Sequence, residues 1–186
     1  MKLSQLLEDV RQINLLTESK GQFNVVLRDL AQLGGEWVLA GGLAVGYHTK
    51  PRGTQDVDIF FSDEEALATL KNHLGGSFRQ TRPHALEHKA TGIEVETLTP
   101  EFLKISPQIV AMAIKTAEDR KGVSVVSREG LVALKLQRAE NKDKGDIEAI
   151  IAAGGSVDLS NYGLTKKQLK LYNELERIVK NRKPLE

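Results

Sequence analysis

Residues 37–61 read WVLAGGLAVGYHTKPRGTQDVDIFF, and this stretch decides the fold. It opens with a short apolar run that is typical of a buried strand, and the glycine pair Gly41-Gly42 leads from it into a short helix over residues 43–48. It closes with a second run, in which apolar residues alternate with Asp56 and Asp58. The stretch therefore predicts a strand, a helix and a second strand, with glycines at the first junction.

The two aspartates of the second strand are the first candidate functional residues. Asp56 and Asp58 are spaced i, i+2, so both carboxylates project from one face of the strand. Neighbouring carboxylates repel each other, and Asp is a poor strand former, so a compensating charge is expected. Magnesium prefers hard oxygen ligands and is often shared between carboxylates and substrate phosphates. The alternative is a polar edge strand, against which the apolar Val57, Ile59 and Phe61 argue.

The glycine pair Gly41-Gly42 has two interpretations. Two glycines where a strand meets a helix let a phosphate approach the backbone, and the helix N-terminus adds N–H donors and a favourable dipole. Strand–helix turns also use glycine for steric reasons alone. The pair by itself leaves both interpretations open.

The rest of the chain predicts an α+β fold, in which a mixed sheet is flanked by helices and followed by a helical C-terminal part. Apolar spacing predicts two short helices over residues 3–33 and a helix from Ser62-Asp63 to about Leu74. Further strands are expected around 85–90, 92–98 and 123–126. We therefore expect a catalytic core with N-terminal helices over residues 1–126 and a helical region over residues 127–186.

The bulk composition excludes some kinds of site. Lys and Arg (26) nearly balance Asp and Glu (25), so the net charge of +1 indicates no general attraction to nucleic acid, although a local basic patch stays open. The chain contains no cysteine, which excludes disulfides and thiolate metal sites. No run of 18 apolar residues occurs, and charges interrupt the N-terminal apolar pattern, so we expect a cytoplasmic protein without a membrane segment.

Several anchored positions together resemble a known family. The elements are Gly41-Gly42-Leu43-Ala44, His48, Pro51-Arg52-Gly53-Thr54 and Asp56-Val57-Asp58. They are similar to the pattern Gly-Gly-x-Ala, His, Pro-x-Arg-x-Thr, Asp-hydrophobic-Asp of the nucleotidyltransferase superfamily, which has a polymerase-β-like fold. Within it, the sequence resembles the small bacterial group of minimal nucleotidyltransferases and AbiEii-class toxins.

The resemblance implies a reaction. Enzymes of this kind use Mg²⁺, or Mn²⁺, to move a nucleoside monophosphate from an NTP to a hydroxyl of RNA, of a protein or of a small molecule. A toxin-type enzyme with an antitoxin-like protein partner is one expectation. The implied nucleotide-binding residues are Gly41, Gly42, Arg52, Thr54 and Lys135, and the implied catalytic and metal-binding residues are Asp56, Asp58 and Glu96.

The third carboxylate is the main departure from the family pattern. Glu94 and Glu96 lie on one face of the strand expected at 92–98. The resemblance places Glu96 where the family usually has Asp, and Glu is longer by one C–C bond, about 1.5 Å. Two glutamates on a strand are also common as surface residues. Glu96 is therefore expected to complete the metal site with altered geometry.

A second resemblance lies in the C-terminal region, where Leu134-Lys135-Leu136 is followed by Lys142-Asp143-Lys144-Gly145-Asp146. Lys135 is expected to approach the triphosphate as a compact point charge. The family often has Arg before its Lys-Asp, where Asn141 stands here, and Arg138 is a candidate substitute. Asp143 and Asp146 equally fit the first turn of a helix. These departures keep open a second hypothesis, a weakly active or inactive module that binds nucleotide or a partner.

Overall fold

The computed structural model describes residues 22–33, 36–50, 53–119 and 122–182. The strands are β1 (Trp37–Leu39), β2 (Asp56–Phe61), β3 (Phe78–Arg82), β4 (Ala85–His88), β5 (Glu94–Leu98), β6 (Glu118–Asp119) and β7 (Ser124–Val125). The helices are α1 (Gln22–Leu33), α2 (Gly41–His48), α3 (Glu64–Asn72), α4 (Pro100–Leu103), α5 (Pro107–Lys115), α6 (Arg128–Arg138), α7 (Asn141–Gly154) and α8 (Lys166–Asn181), with a 3₁₀ turn at Ser160–Tyr162.

The strands in the described ranges form one mixed sheet with the order β3-β4-β5-β2-β1-β7-β6. β2 lies between β1, to which it is antiparallel, and β5, to which it is parallel. Its Val57, Ile59 and Phe61 are fully buried on one face, as the alternation predicts. The sheet and its flanking helices confirm the expected α+β class.

The core is one cluster of buried apolar residues that draws on the sheet and on helices from both parts of the chain. α2 contacts β2, α6 and α7, so it joins the centre of the sheet to the C-terminal helices. The division at residue 126 stays a prediction. None of the helices in the described ranges is long and apolar enough to cross a membrane.

Several elements begin where the sequence predicts. Asp63 caps α3 by accepting a hydrogen bond from the Ala66 N–H at 2.8 Å, and Ser127 caps α6 by accepting one from the Gly130 N–H at 3.2 Å. Two helices were predicted over residues 3–33. α1 confirms the second of them, and the first lies outside the described residues.

β3, α4 and α5 were not predicted from the sequence. Only Phe78 of β3 is buried, so this edge strand has no apolar alternation to reveal it. α5 did carry a signal, because Pro107 stands in its first turn and its buried Ile109, Val110 and Ala113 follow helical spacing.

Candidate active site

The centre of the candidate site is a row of carboxylates on two parallel strands. In the β2–β5 register, Asp58 lies beside Glu96 and Asp56 lies beside Glu94. Neighbouring positions of a parallel pair present their side chains to the same face, and this is the face opposite the buried Val57 and Ile59. Glu94 is occupied by an ion pair with Arg82. The structure thus brings together the three carboxylates expected from the sequence, Asp56, Asp58 and Glu96.

The N-terminus of α2 contacts one of these carboxylates, that of Asp58. The Asp58 main-chain oxygen accepts a hydrogen bond from the Ala40 N–H at 2.9 Å, and its Oδ2 accepts one from the Gly42 N–H at 3.4 Å. A helix N-terminus favours a negative charge, so α2 holds the Asp58 side chain in place. The glycine pair, expected to cradle phosphate, therefore also carries a contact with Asp58. Its phosphate role stays a prediction.

Gly41 is required by both backbone and space. Its φ is +58°, in the left-handed region. A Cβ at this position would lie 1.5 Å from the Asp58 Oδ2. The steric interpretation of the glycine pair is thus correct for Gly41, and the crowding atom belongs to the candidate site.

We expect Gly41→Ala to lower the free energy of unfolding by about 2–4 kcal/mol, because backbone strain adds to the overlap with Asp58. Urea unfolding measures this change. Gly92→Ala is the matched control, since Gly92 has a φ of +71° and no atom within 4 Å of an added Cβ. Equal losses in the two variants would show that backbone strain alone accounts for the effect.

Thr54 positions the other aspartate. It is buried, and its Oγ1 donates a hydrogen bond to the Asp56 Oδ1 at 2.9 Å. This contact gives Thr54 a role in orienting Asp56; its predicted contact with nucleotide is untested. Arg52, the other residue predicted from this loop, lies outside the described residues.

The three carboxylates are costly to ionise together. Burial, and then the charges of Asp56 and Glu96, raise the pKa of Asp58 to about 6. The hydrogen bond from the Gly42 N–H and the charge of Lys135 act in the opposite direction. Burial and then the charges of Asp56 and Glu94 also raise the pKa of Glu96. The fold therefore holds negative charge that a cation would stabilise.

This arrangement predicts that stability depends on pH. The folded state binds the Asp58 proton more tightly than the unfolded chain, whose pKa is near 3.8, so the free energy of unfolding should fall as pH rises from about 4 to about 6. Asp58→Asn lacks this loss and should be more stable than wild type at pH 7, by as much as about 3 kcal/mol. Urea unfolding in EDTA at a series of pH values measures the difference.

Asp63→Asn is the control for this pH experiment. Hydrogen bonds from the Ala66 N–H and from Ser62 lower the pKa of Asp63, and Asn can still cap α3. This variant should gain no stability at pH 7. Equal pH profiles for wild type and Asp58→Asn would mean that Asp58 ionises normally in the folded protein.

Lys135 is placed between two aspartates of the next helix. Its Nζ lies 2.6 Å from the Asp146 Oδ2 and 3.3 Å from the Asp143 Oδ1. Asp143 also completes a capping box at the start of α7, where Glu140 is the N-cap. Asp143 therefore belongs to the helix start and also contacts the cation predicted to face the triphosphate; its functional role stays a prediction.

The carboxylates and Lys135 share one cavity of about 230 Å³. Its polar lining consists of Gly41, Gly42, Asp56, Asp58, Glu96, Lys135, Arg138, Lys142 and Asp143, and its apolar lining of Ala40, Phe60, Leu98, Leu103, Ile105, Leu131 and Leu134. The cavity is thus lined by both carboxylates and cations. His48 is not among the lining residues, and its Nε2 lies 2.8 Å from the Val126 main-chain oxygen, which indicates a structural role.

Comparison with known proteins bears on the fold. No family model matches the sequence, and no curated protein matches it. The solved structures include a similar chain, the antigenic nucleotidyltransferase-like protein from Paracoccidioides brasiliensis, at a TM-score of 0.54 and 18% identity. The match covers 90% of this chain and 88% of that one. The fold is nucleotidyltransferase-like.

The sequence resemblance predicts a metal, and the residues present suit one by their chemistry. The donors are hard carboxylate oxygens, and the pKa of two of these side chains, Asp58 and Glu96, is raised by burial and then by neighbouring carboxylate charges. Among the described residues, however, no three side chains of His, Asp or Glu already surround a single point as a metal would require. Asp56 and Asp58, with Glu96 beside them, are the residues that would hold the ion.

Two kinds of lining residue were not assigned from the sequence. Lys142 belongs to the motif over residues 142–146, in which only the two aspartates were given an interpretation from the sequence. Leu103 and Ile105 form an apolar wall contributed by α4 and the segment after it, which no motif marks. Arg138, considered only as a substitute for a family arginine, does line the cavity, beside Lys135.

Proposed function

We propose that this protein is a Mg²⁺-dependent nucleotidyltransferase that moves a nucleoside monophosphate from an NTP to a hydroxyl. The observation that carries the proposal is the register of β2 and β5, which aligns Asp58 with Glu96 in a cavity that also contains Asp56 and Lys135. Carboxylates beside cations suit a metal-bound triphosphate, because the carboxylates bind the metal ion and the cations bind the negatively charged phosphates. The nucleotidyltransferase-like fold supports the same class of reaction.

The proposed reaction assigns separate tasks to the residues. The acceptor oxygen bonds to the α-phosphorus, the bond to the β-phosphate oxygen breaks, and pyrophosphate leaves. Glu96 takes the hydroxyl proton as the general base, and its pKa, which burial and then the charges of Asp56 and Glu94 raise, makes it a stronger base than an exposed Glu. Magnesium or manganese held by Asp56 and Asp58 would offset the charge that develops on the phosphoryl oxygens.

The chain's own cations would complete the nucleotide site. Lys135 lies in the cavity wall, where its charge acts on Asp58, and Asp143 and Asp146 hold it there. Lys135 would attract the triphosphate as a fixed point charge, with Arg138 and Lys142 beside it. Gly41 and Gly42 would face the phosphates at the α2 N-terminus. Arg52 is a further phosphate-binding candidate from the sequence pattern.

The biological setting is a further part of the proposal. A toxin-type enzyme with an antitoxin-like protein partner, acting in the cytoplasm on RNA, a protein or a small molecule, follows from the sequence resemblance. A fold hosts many acceptors, so the acceptor class must come from experiment.

One experiment tests the reaction and identifies the acceptor. The protein is incubated with cell extract, Mg²⁺ or Mn²⁺, and each NTP labelled at the α-phosphate, and the RNA, protein and small-molecule fractions are counted separately. We expect label in one fraction, and none from NTP labelled at the γ-phosphate, which leaves in pyrophosphate. Transfer of the γ-label would indicate a kinase and contradict the proposal.

A second candidate function is a module that binds nucleotide or a protein partner without transfer. It is favoured by the pairing of Lys135 with two aspartates and by the substitution of Glu96 for the usual Asp. Calorimetry with Mg²⁺ and each NTP separates the two hypotheses. Binding to wild type that is lost in Asp58→Ala, with no label in any fraction, would favour the module.

A further inference from the structure

A second concave surface adjoins the cavity on the helical side of the molecule. It is a groove of about 610 Å³ between the end of α6, the first turns of α7 and the first half of α8. Its charged lining consists of Arg138, Lys144, Lys167, Lys170 and Glu174. Four cations and one carboxylate thus line this surface, which we call the basic groove. One of the cations, Arg138, is also paired with Glu140 and Asp143. The concentration of positive charge is local, since the whole chain has a net charge of +1.

The basic groove adjoins the candidate active site at one shared residue. Arg138 lines both the groove and the cavity that contains Asp58 and Glu96. A chain-like ligand lying in the groove would therefore pass Arg138 and bring its end to the carboxylates. A ligand confined to the cavity would make no use of Lys167 or Lys170.

The walls of the groove are held in place by hydrogen bonds. The Gln168 Nε2 donates to the Leu136 main-chain oxygen at 3.4 Å and ties α8 to α6, while Thr165 and Gln168 form a capping box that starts α8. Lys167 and Lys170 are three residues apart and share a side of α8. Within the described ranges, no carboxylate lies within 4.0 Å of the ammonium groups of Lys144, Lys167 and Lys170.

The lining chemistry favours a phosphate backbone over a protein segment. Ammonium groups on two walls can neutralise successive phosphates, which dominate the affinity of nucleic-acid binding. A protein interface usually centres on an apolar or aromatic anchor in a pocket. Among the described residues, no aromatic residue lines the basic groove, and its two leucines are buried in the core (Leu136) or packed against it (Leu171).

We propose that the basic groove binds the phosphate backbone of a single-stranded RNA and leads its terminal hydroxyl to the carboxylates. The binding part stands on the charges and shape of the groove alone. The use of the RNA as acceptor rests on the proposed nucleotidyl transfer, for which an RNA end supplies the hydroxyl.

Fluorescence anisotropy tests the binding part. The probe is a labelled RNA of about 12 nucleotides, titrated with the full chain at about 50 mM and about 200 mM salt. Lys167→Glu with Lys170→Glu should weaken binding at least about tenfold at the lower salt and flatten the salt slope by about 1.4, for two lost contacts to a single strand. Both lysines are exposed, so the fold should persist, and circular dichroism verifies this.

The matched control makes the same change of net charge elsewhere. Lys89→Glu with Lys115→Glu alters two exposed lysines outside the groove and should leave RNA binding within about twofold of wild type. If both double variants weaken RNA binding equally, the change in net charge alone explains the effect, and the proposal is overturned. A poly-glutamate peptide that binds as tightly as the RNA at equal salt would overturn it in favour of an acidic protein.

A further variant separates this proposal from the proposed function. Asp56→Asn with Asp58→Asn should bind the RNA probe at least as well as wild type, because its changes remove only negative charge from the cavity. RNA binding through Lys167 and Lys170 by a wild-type protein that transfers no nucleotide would sustain the groove and refute the reaction. Nucleotidyl transfer that is unchanged by the lysine reversals, together with unchanged RNA binding, would refute the groove and sustain the reaction.

Discussion

Asp58→Asn should reduce nucleotidyl transfer by about a thousandfold or more while the protein remains folded. The loss corresponds to about 4 kcal/mol of transition-state stabilisation, the scale expected when a carboxylate that holds a catalytic metal is removed. Asn keeps a side-chain oxygen that can accept the hydrogen bond from the Gly42 N–H, so the contact with α2 should remain. Transfer of α-labelled nucleotide to the identified acceptor measures the loss, and Asp63→Asn, an exposed control, should retain activity.

This variant separates a loss of chemistry from a loss of folding. The raised pKa of Asp58 predicts that Asp58→Asn is more stable than wild type at pH 7 without metal. A protein that is at once more stable and inactive cannot owe its inactivity to unfolding. If Asp58→Asn transfers nucleotide as fast as wild type, the proposed metal site is wrong.

Lys135→Met should lower the free energy of unfolding by about 3–5 kcal/mol, because it removes the ammonium group that lies between two buried carboxylates. Asp143 and Asp146 are each only 6% exposed, so water cannot replace the lost ammonium group. Met has a similar length and fills the space of the lysine stem, which limits the change to the charge. Urea unfolding at pH 7 gives the difference from wild type.

Two further proteins make the Lys135 result specific. Lys142→Met removes an exposed cation from the same region and should change stability by less than about 0.5 kcal/mol. Combining Lys135→Met with Asp143→Asn and Asp146→Asn removes the charges of all three residues and should restore at least half of the loss. A loss below about 1 kcal/mol for Lys135→Met would show that the cluster does not depend on its cation.

The predicted stability of this cluster bears on how Lys135 would work. A lysine already held by two carboxylates presents a fixed charge to the cavity, and its full release would remove that charge from both aspartates. Under the proposed function it should therefore attract phosphate at a distance set by Asp143 and Asp146, without moving to the ligand. The position of a lysine is here determined by the helix that follows it.

The sequence by itself determined the local features of this protein. The alternation of residues 56–61 was enough to place Asp56 and Asp58 on one face and to bury Val57 and Ile59 on the other, because side-chain direction in a strand depends only on odd or even position. The starts of α3 and α6 were also readable, since a cap and the N–H that it binds lie within three residues. The resemblance to nucleotidyltransferases, which selected Glu96, added what no periodicity could provide.

Only the tertiary structure decided which distant groups meet. The register of β2 and β5, two strands that are far apart in the chain, places Glu96 beside Asp58. A shift of two residues would place Glu94 there instead. The pairing of Lys135 with Asp143 and Asp146 depends on how α6 packs against α7. Gly41 is needed because its φ is +58° and because the Asp58 side chain fills the space of its missing Cβ, and neither can be read from the sequence. Local patterns describe each strand and helix, whereas a site is made where packing brings them together.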